Sequence, residues 1–144
     1  MEHLDKRDIT ATIRQMKKAR EEMKRAVSLE DAATKPLLTD LSLIKSIYGK
    51  FTDMVGKERI SVSERKMFIF IIQYLYAPRN IFGARMPRML RGELANVLGV
   101  NSVCVISQNG ADTLHHYRVY TSFRQETNRI LTSILTYLSG LGKI

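Results

Sequence analysis

The chain has 144 residues, 44% hydrophobic and 26% charged, with 3 Pro; this globular usage excludes wholesale disorder and collagen-like repeats. A single cysteine, Cys104, excludes an intramolecular disulfide framework and a cysteine-cluster zinc site, and fits a reducing compartment. The formal net charge of +9 turns attention to anionic partners.

The opening MEHLDKRD is charged and does not resemble a secretory leader. From residue 5 to 29, apolar residues recur at Ile9, Ile13, Met16, Met23 and Val27, with Arg20 in the remaining slot. The steps alternate four and three, a heptad-like seam on an otherwise charged helix. So narrow a stripe cannot build a core alone. It is expected to pack on another helix, as a homo-oligomer or with a partner helix. Pro36 suits the first turn of a second helix, capped near Thr34 or Lys35, carrying Leu37, Leu38, Leu41, Ile44, Ile47, Tyr48, Phe51, Met54 and Val55 and ending at Gly56. Residues 1–56 are therefore expected to form an N-terminal helical pair, and residues 57–144 a second domain.

Ser61 and Glu64 have capping-box spacing and open a third, central buried helix through Met67, Phe68, Ile69, Phe70, Ile71 and Ile72, closed by Pro78. Its apolar run, interrupted by Gln73, spans ten residues, far short of a bilayer, so no membrane segment and a cytoplasmic protein are expected. Residues 77–86 read as a basic loop. Pro87 opens a fourth helix that Gly99 stops, and Asn101 or Ser102 caps a fifth that runs to about Tyr120, with a bend or break expected at Gly110. A sixth follows Thr121 with Phe123, Ile130, Leu131, Ile134, Leu135, Leu138 and Leu141 on one face. The fold class is all-α, about six helices.

The segment from Leu90 to Ser107 has the pattern of a helix-turn-helix. Ala95 is the small residue where two helices cross, Gly99 the turn glycine, and Leu94, Leu98, Val100 and Val105 the apolar clamp. One slot departs: Gln108 stands where an aliphatic is usual. Charge supports the reading. Residues 57–144 hold 12 basic and 5 acidic side chains, and between Glu64 and Glu93 there is no acidic residue while Arg65, Lys66, Arg79, Arg85, Arg88 and Arg91 all fall there. Arg79, Arg85, Arg88 and Arg91 are assigned to DNA phosphates; Ser102, Val103, Ile106 and Ser107, at the start of the second motif helix, to base edges. Arg118, Arg124 and Arg129 extend the basic surface or occupy solvated positions.

The order of buried helix, basic loop, helix-turn-helix and closing helix resembles the C-terminal DNA-binding domain of the bacterial replication initiator DnaA, and more loosely the Trp-repressor-like group. ERKMFIFIIQYLY is similar to the family's buried helix, and APRNIFGARMPRMLRGELANVLG to its loop and first motif helix. NSVCVIS occupies the place of its recognition signature, Asp-His-Thr-Thr-Val-Leu-His, with Val105 and Ile106 matching the valine and leucine. Ser102, Val103, Cys104 and Ser107 do not match, so the resemblance, over about residues 61–141, implies a mode of duplex DNA binding and not the initiator's recognition sequence. No ATPase phosphate loop is present.

Asp112, His115 and His116 are the only grouping like an active site, and a third ligand is not evident. No enzyme activity, metal or cofactor is expected. The reading is a DNA-binding protein, a regulator or an accessory of replication or of a mobile element. The alternative is a helical adaptor or virion-assembly protein acting through protein contacts.

Overall fold

The computed structural model describes residues 6–144. They form seven α-helices and one 3-10 turn, with no strand among the described residues, so the all-α class holds. None of these helices is by itself long and apolar enough to cross a membrane. The chain divides into two compact units, Met1–Lys35 and Pro36–Ile144.

The first unit is one helix, α1 (Lys6–Ala33). It continues four residues past the expected end, and residue 5 of the expected helix lies outside the described residues. Every side chain from Asp8 to Ala33 is exposed, including the whole seam.

The second unit opens with a correction. Pro36 does not start a helix. The N–H groups of Leu37 and Leu38 both donate to the Leu75 carbonyl at 3.0 Å, and this tertiary pairing overrides the local proline signal. Leu38 is buried there. The Asp40 carboxylate then accepts from Ser42 N (3.0 Å) and Ser42 Oγ (2.6 Å), capping a 3-10 turn at Leu41–Leu43; these bonds hold the carboxyl below its usual range. Helix α2 (Ile44–Val55) buries Ile44, Ile47 and Phe51 and ends at Gly56, whose φ of +75° favours glycine.

Because α2 packs on α3 (Val62–Tyr76), α5 (Arg88–Leu98) and α7 (Thr121–Gly140), it belongs to the second unit. The compact units divide at residue 35, with α2 among the helices of the second.

The capping box forms as expected, with Glu64 N donating to Ser61 Oγ (3.1 Å) and Ser61 N to Glu64 Oε1 (2.9 Å). Helix α3 is apolar nearly all round and touches every other helix of the unit, as a buried central helix should. Phe68, Ile69, Ile71, Ile72 and Leu75 are fully buried, each contributing about 1.5–3 kcal/mol by the usual transfer scale. One turn of helix, α4 (Pro78–Ile81), stands in the stretch expected to be loop. Helix α6 (Val103–Val119) runs unbroken through Gly110, which corrects the expected bend. Helix α7 closes the unit with Phe123, Thr127, Ile130, Ile134 and Leu138 inward.

Candidate nucleic-acid interface

Helices α5 and α6 cross at 102°, within the range of about 90–120° for a helix-turn-helix. The turn is built by a Schellman closure: Val100 N donates to Ala95 O (3.0 Å) and Gly99 N to Asn96 O (3.2 Å). Gly99 sits at φ +67°, which a side chain would strain. Leu94 and Ala95 are buried at the crossing, and Leu98 and Val100 pack on the core beside them.

Ser102 caps α6, its Oγ accepting from Cys104 N at 3.1 Å, and the residue is exposed with its O–H still able to donate outward. Ile106 is fully buried, and its assignment to base edges is withdrawn. The inward residues of α6 are Ile106, Gly110 and Thr113, one to two positions later than a clamp at Val105 and slot 108 requires. Val103 and Ser107 are exposed as expected, and Cys104 and Gln108 share that exposure. Neither of the last two was assigned to base edges from the sequence. The four-then-three spacing of residues 106, 110 and 113 carried the signal, but glycine and threonine do not look like core residues in a sequence.

The basic residues divide by what they touch. Arg65 Nε donates to Asn109 Oδ1 at 2.8 Å, and Lys66 faces Asp112 at 3.7 Å. Arg124 donates to the Tyr117 and Arg118 carbonyls at 3.5 and 3.3 Å, tying down the end of α6, and Arg129 pairs with Glu126 at 2.5 Å. These groups join helices or pair locally. Arg79 is exposed on α4. Among the described residues, the Arg85, Arg88 and Arg91 side chains have no ion-pair or hydrogen-bond partner.

Arg85, Arg91 and Ser107 line one cleft of about 360 Å³, so the loop, the first motif helix and the second converge there. Arg88, the first residue of α5, is exposed, and no side chain caps that helix end. Arg79 and Arg88 are not among the residues lining the cleft. The Arg91 Nε is shielded from solvent with no acceptor, so the protein leaves its guanidinium unanchored.

The cleft rests on a buried polar network. Gln73, fully buried on α3, donates from Nε2 to Asn80 Oδ1 (2.5 Å) and to Gly110 O (3.1 Å), and its Oε1 accepts from Thr113 Oγ1 (2.7 Å). Asn80 Nδ2 in turn donates to Ala84 O at 2.7 Å. The loop carrying Arg85 is thereby held to α3 and α6.

At Asp112, the carboxylate faces Lys66 and the backbone carbonyl meets His116 Nδ1 at 3.0 Å. No group of three metal-ligating side chains gathers among the described residues. No family model matches the chain, and no curated protein or solved structure matches it either.

Proposed function

We propose that this chain is a non-enzymatic duplex-DNA-binding protein, a regulator or an accessory of replication or of a mobile element. The observation that carries the reading is the convergence of unpaired Arg85 and Arg91 with Ser107 on one cleft at a 102° helix-turn-helix crossing. Cationic side chains with no protein partner, beside a helix whose first turns are solvated, are what a backbone-positioning surface requires. Arg85, Arg88 and Arg91 contact phosphates. Arg79 adds charge from α4. Val103 and Ser107 meet the groove, joined by Cys104 and Gln108. Gln108 supplies an amide able to pair with adenine, a better reader than the buried Ile106. The resemblance to the DnaA domain bears on this mode of binding alone.

The test is anisotropy of a labelled duplex across a salt series. Replacing Arg85, Arg88 and Arg91 together with Ala should weaken binding to all sequences alike and reduce the slope of log K against log salt by up to about 0.9 per lost contact. A triple variant with the wild-type affinity and slope at every ionic strength would remove the reading and leave the adaptor alternative, which the exposed face of α1 favours.

A further inference from the structure

Helix α1 presents an unusual physical situation. It is 28 residues long, roughly 42 Å at 1.5 Å per residue, and its side chains from Asp8 to Ala33 are all exposed. The apolar seam is open, from Ile9 at 46% to Met23 at 69% exposure. Helices in proteins are held mainly by packing of an amphipathic face, so a seam of this length calls for a partner.

The flanks say which one. In heptad terms, from residue 8 on, the a positions are Ile13, Arg20 and Val27, and the d positions Ile9, Met16, Met23 and Glu30. One flank (g) is small, Thr12, Ala19, Ala26 and Ala33; the other (e) is Thr10, Lys17, Lys24 and Asp31. In a parallel, in-register pair each g residue faces the e residue five positions on in the other chain. Thr12 then meets Lys17, Ala19 meets Lys24, and Ala26 meets Asp31. On the flanks the lysine stems lie over alanine methyls with no like-charge contact, and the two-fold relation satisfies both flanks at once, while in the seam Arg20 and Glu30 each face their own copy. A symmetric antiparallel pair centred on the seam sets Lys17 against Lys24 instead.

We propose that α1 pairs with α1 of a second copy as a parallel two-stranded coiled coil, with Arg20 as the polar a-position residue that limits it to two strands. The Arg20 side chains of the pair lie with their stems along Met16 and Met23 and their heads in water. Their repulsion weakens the dimer while fixing register, the known cost of a polar a position. The pairing is independent of the DNA reading and is tested without DNA.

Sedimentation equilibrium of the full chain, in a Cys104→Ser background, should show a reversible monomer–dimer equilibrium. Met16→Lys with Met23→Lys should abolish it while leaving the bundle's cooperative unfolding intact. Thr12→Glu with Ala19→Glu should tighten the dimer about tenfold, because each new carboxylate faces a lysine in the parallel register and none in the antiparallel one. Met16→Cys should cross-link on oxidation, since in register this d position faces itself. A chain that stays monomeric up to its solubility limit overturns the proposal, as it would if α1 instead docks an acidic helix of another protein. A dimer that neither tightens with the added carboxylates nor cross-links through Met16→Cys overturns the parallel register, and a trimer or tetramer overturns the role of Arg20.

Discussion

At Gly110 an added Cβ would lie 3.1 Å from Gln73 Nε2, 3.6 Å from Met86 Cε and 3.8 Å from Asn80 Oδ1. In an exposed helix, Gly→Ala stabilises by roughly 0.5–1 kcal/mol. Here the nearest neighbour cannot yield, because the Gln73 amide is fully buried and its donors and acceptor are all engaged. Crowding of this kind costs about 1–3 kcal/mol. Gly110→Ala should therefore lower stability by about 1 kcal/mol net in urea unfolding and, on the DNA-binding proposal, weaken binding by shifting the Asn80 anchor of the basic loop. A midpoint above wild type would show that Gln73 can move. Two serines in α6 separate in the same way. Ser102→Ala removes the cap on Cys104 N and should cost about 1 kcal/mol of stability, whereas Ser107→Ala touches a solvated position and should leave stability within about 0.5 kcal/mol while changing DNA preference. Equal unfolding midpoints for the two variants would contradict the assignment.

At the scale of elements, the start of α3 carries its own pH signature. The Ser61 N–H, then the Ser61 hydroxyl and Lys57, hold the Glu64 carboxyl below its ordinary value of 4.5. A carboxyl lowered in the folded state contributes stability that is fully present above its unfolded value and is lost as pH falls through the folded one. Wild-type stability should thus decline below about pH 4.5, and Glu64→Gln should be less stable at pH 7 but flatter through that window. Parallel pH profiles from pH 7 to 3 would discount the capping carboxylate. This cap was legible in the sequence, as were the Gly99 turn and the α1 seam, because each rests on chemistry within a few residues. What was not legible depends on distant partners. Pro36 reads as a helix start until Leu75 O takes the N–H groups of Leu37 and Leu38. Gly110 reads as a weak point until Gln73 is seen against it. The phase of α6 followed the motif's usual aliphatic slots, and a glycine and a threonine filled the core face instead, which displaced Ile106 from the groove to the interior. Arg79, Arg85, Arg88 and Arg91 were grouped from charge alone, and only the fold separates them from Arg65 and Lys66, which face Asn109 and Asp112.

For the whole molecule, the division at residue 35 has an energetic meaning. The buried hydrophobic core lies between Leu38 and Leu138, so its cohesion comes entirely from the second unit. If the division at residue 35 is also an energetic one, helix α1 should melt on its own terms, paired or not. A chain lacking residues 1–35 should keep one cooperative thermal transition within about 2 °C of the main full-length transition, given that a loss of even 1 kcal/mol would move it by about 4–8 °C in a domain of ~60–100 residues. What the deletion should remove is the helical ellipticity of α1 and any dependence of the melting profile on protein concentration, because only an associating element makes melting depend on concentration. The fragment should also keep the salt slope of DNA binding if Arg85, Arg88 and Arg91 carry it, since all three lie in the second unit. Circular dichroism at two concentrations a hundredfold apart, with and without residues 1–35, checks the first two points. A main transition lowered by more than about 8 °C would mean that the N-terminal unit supports the core, contrary to the division of the chain.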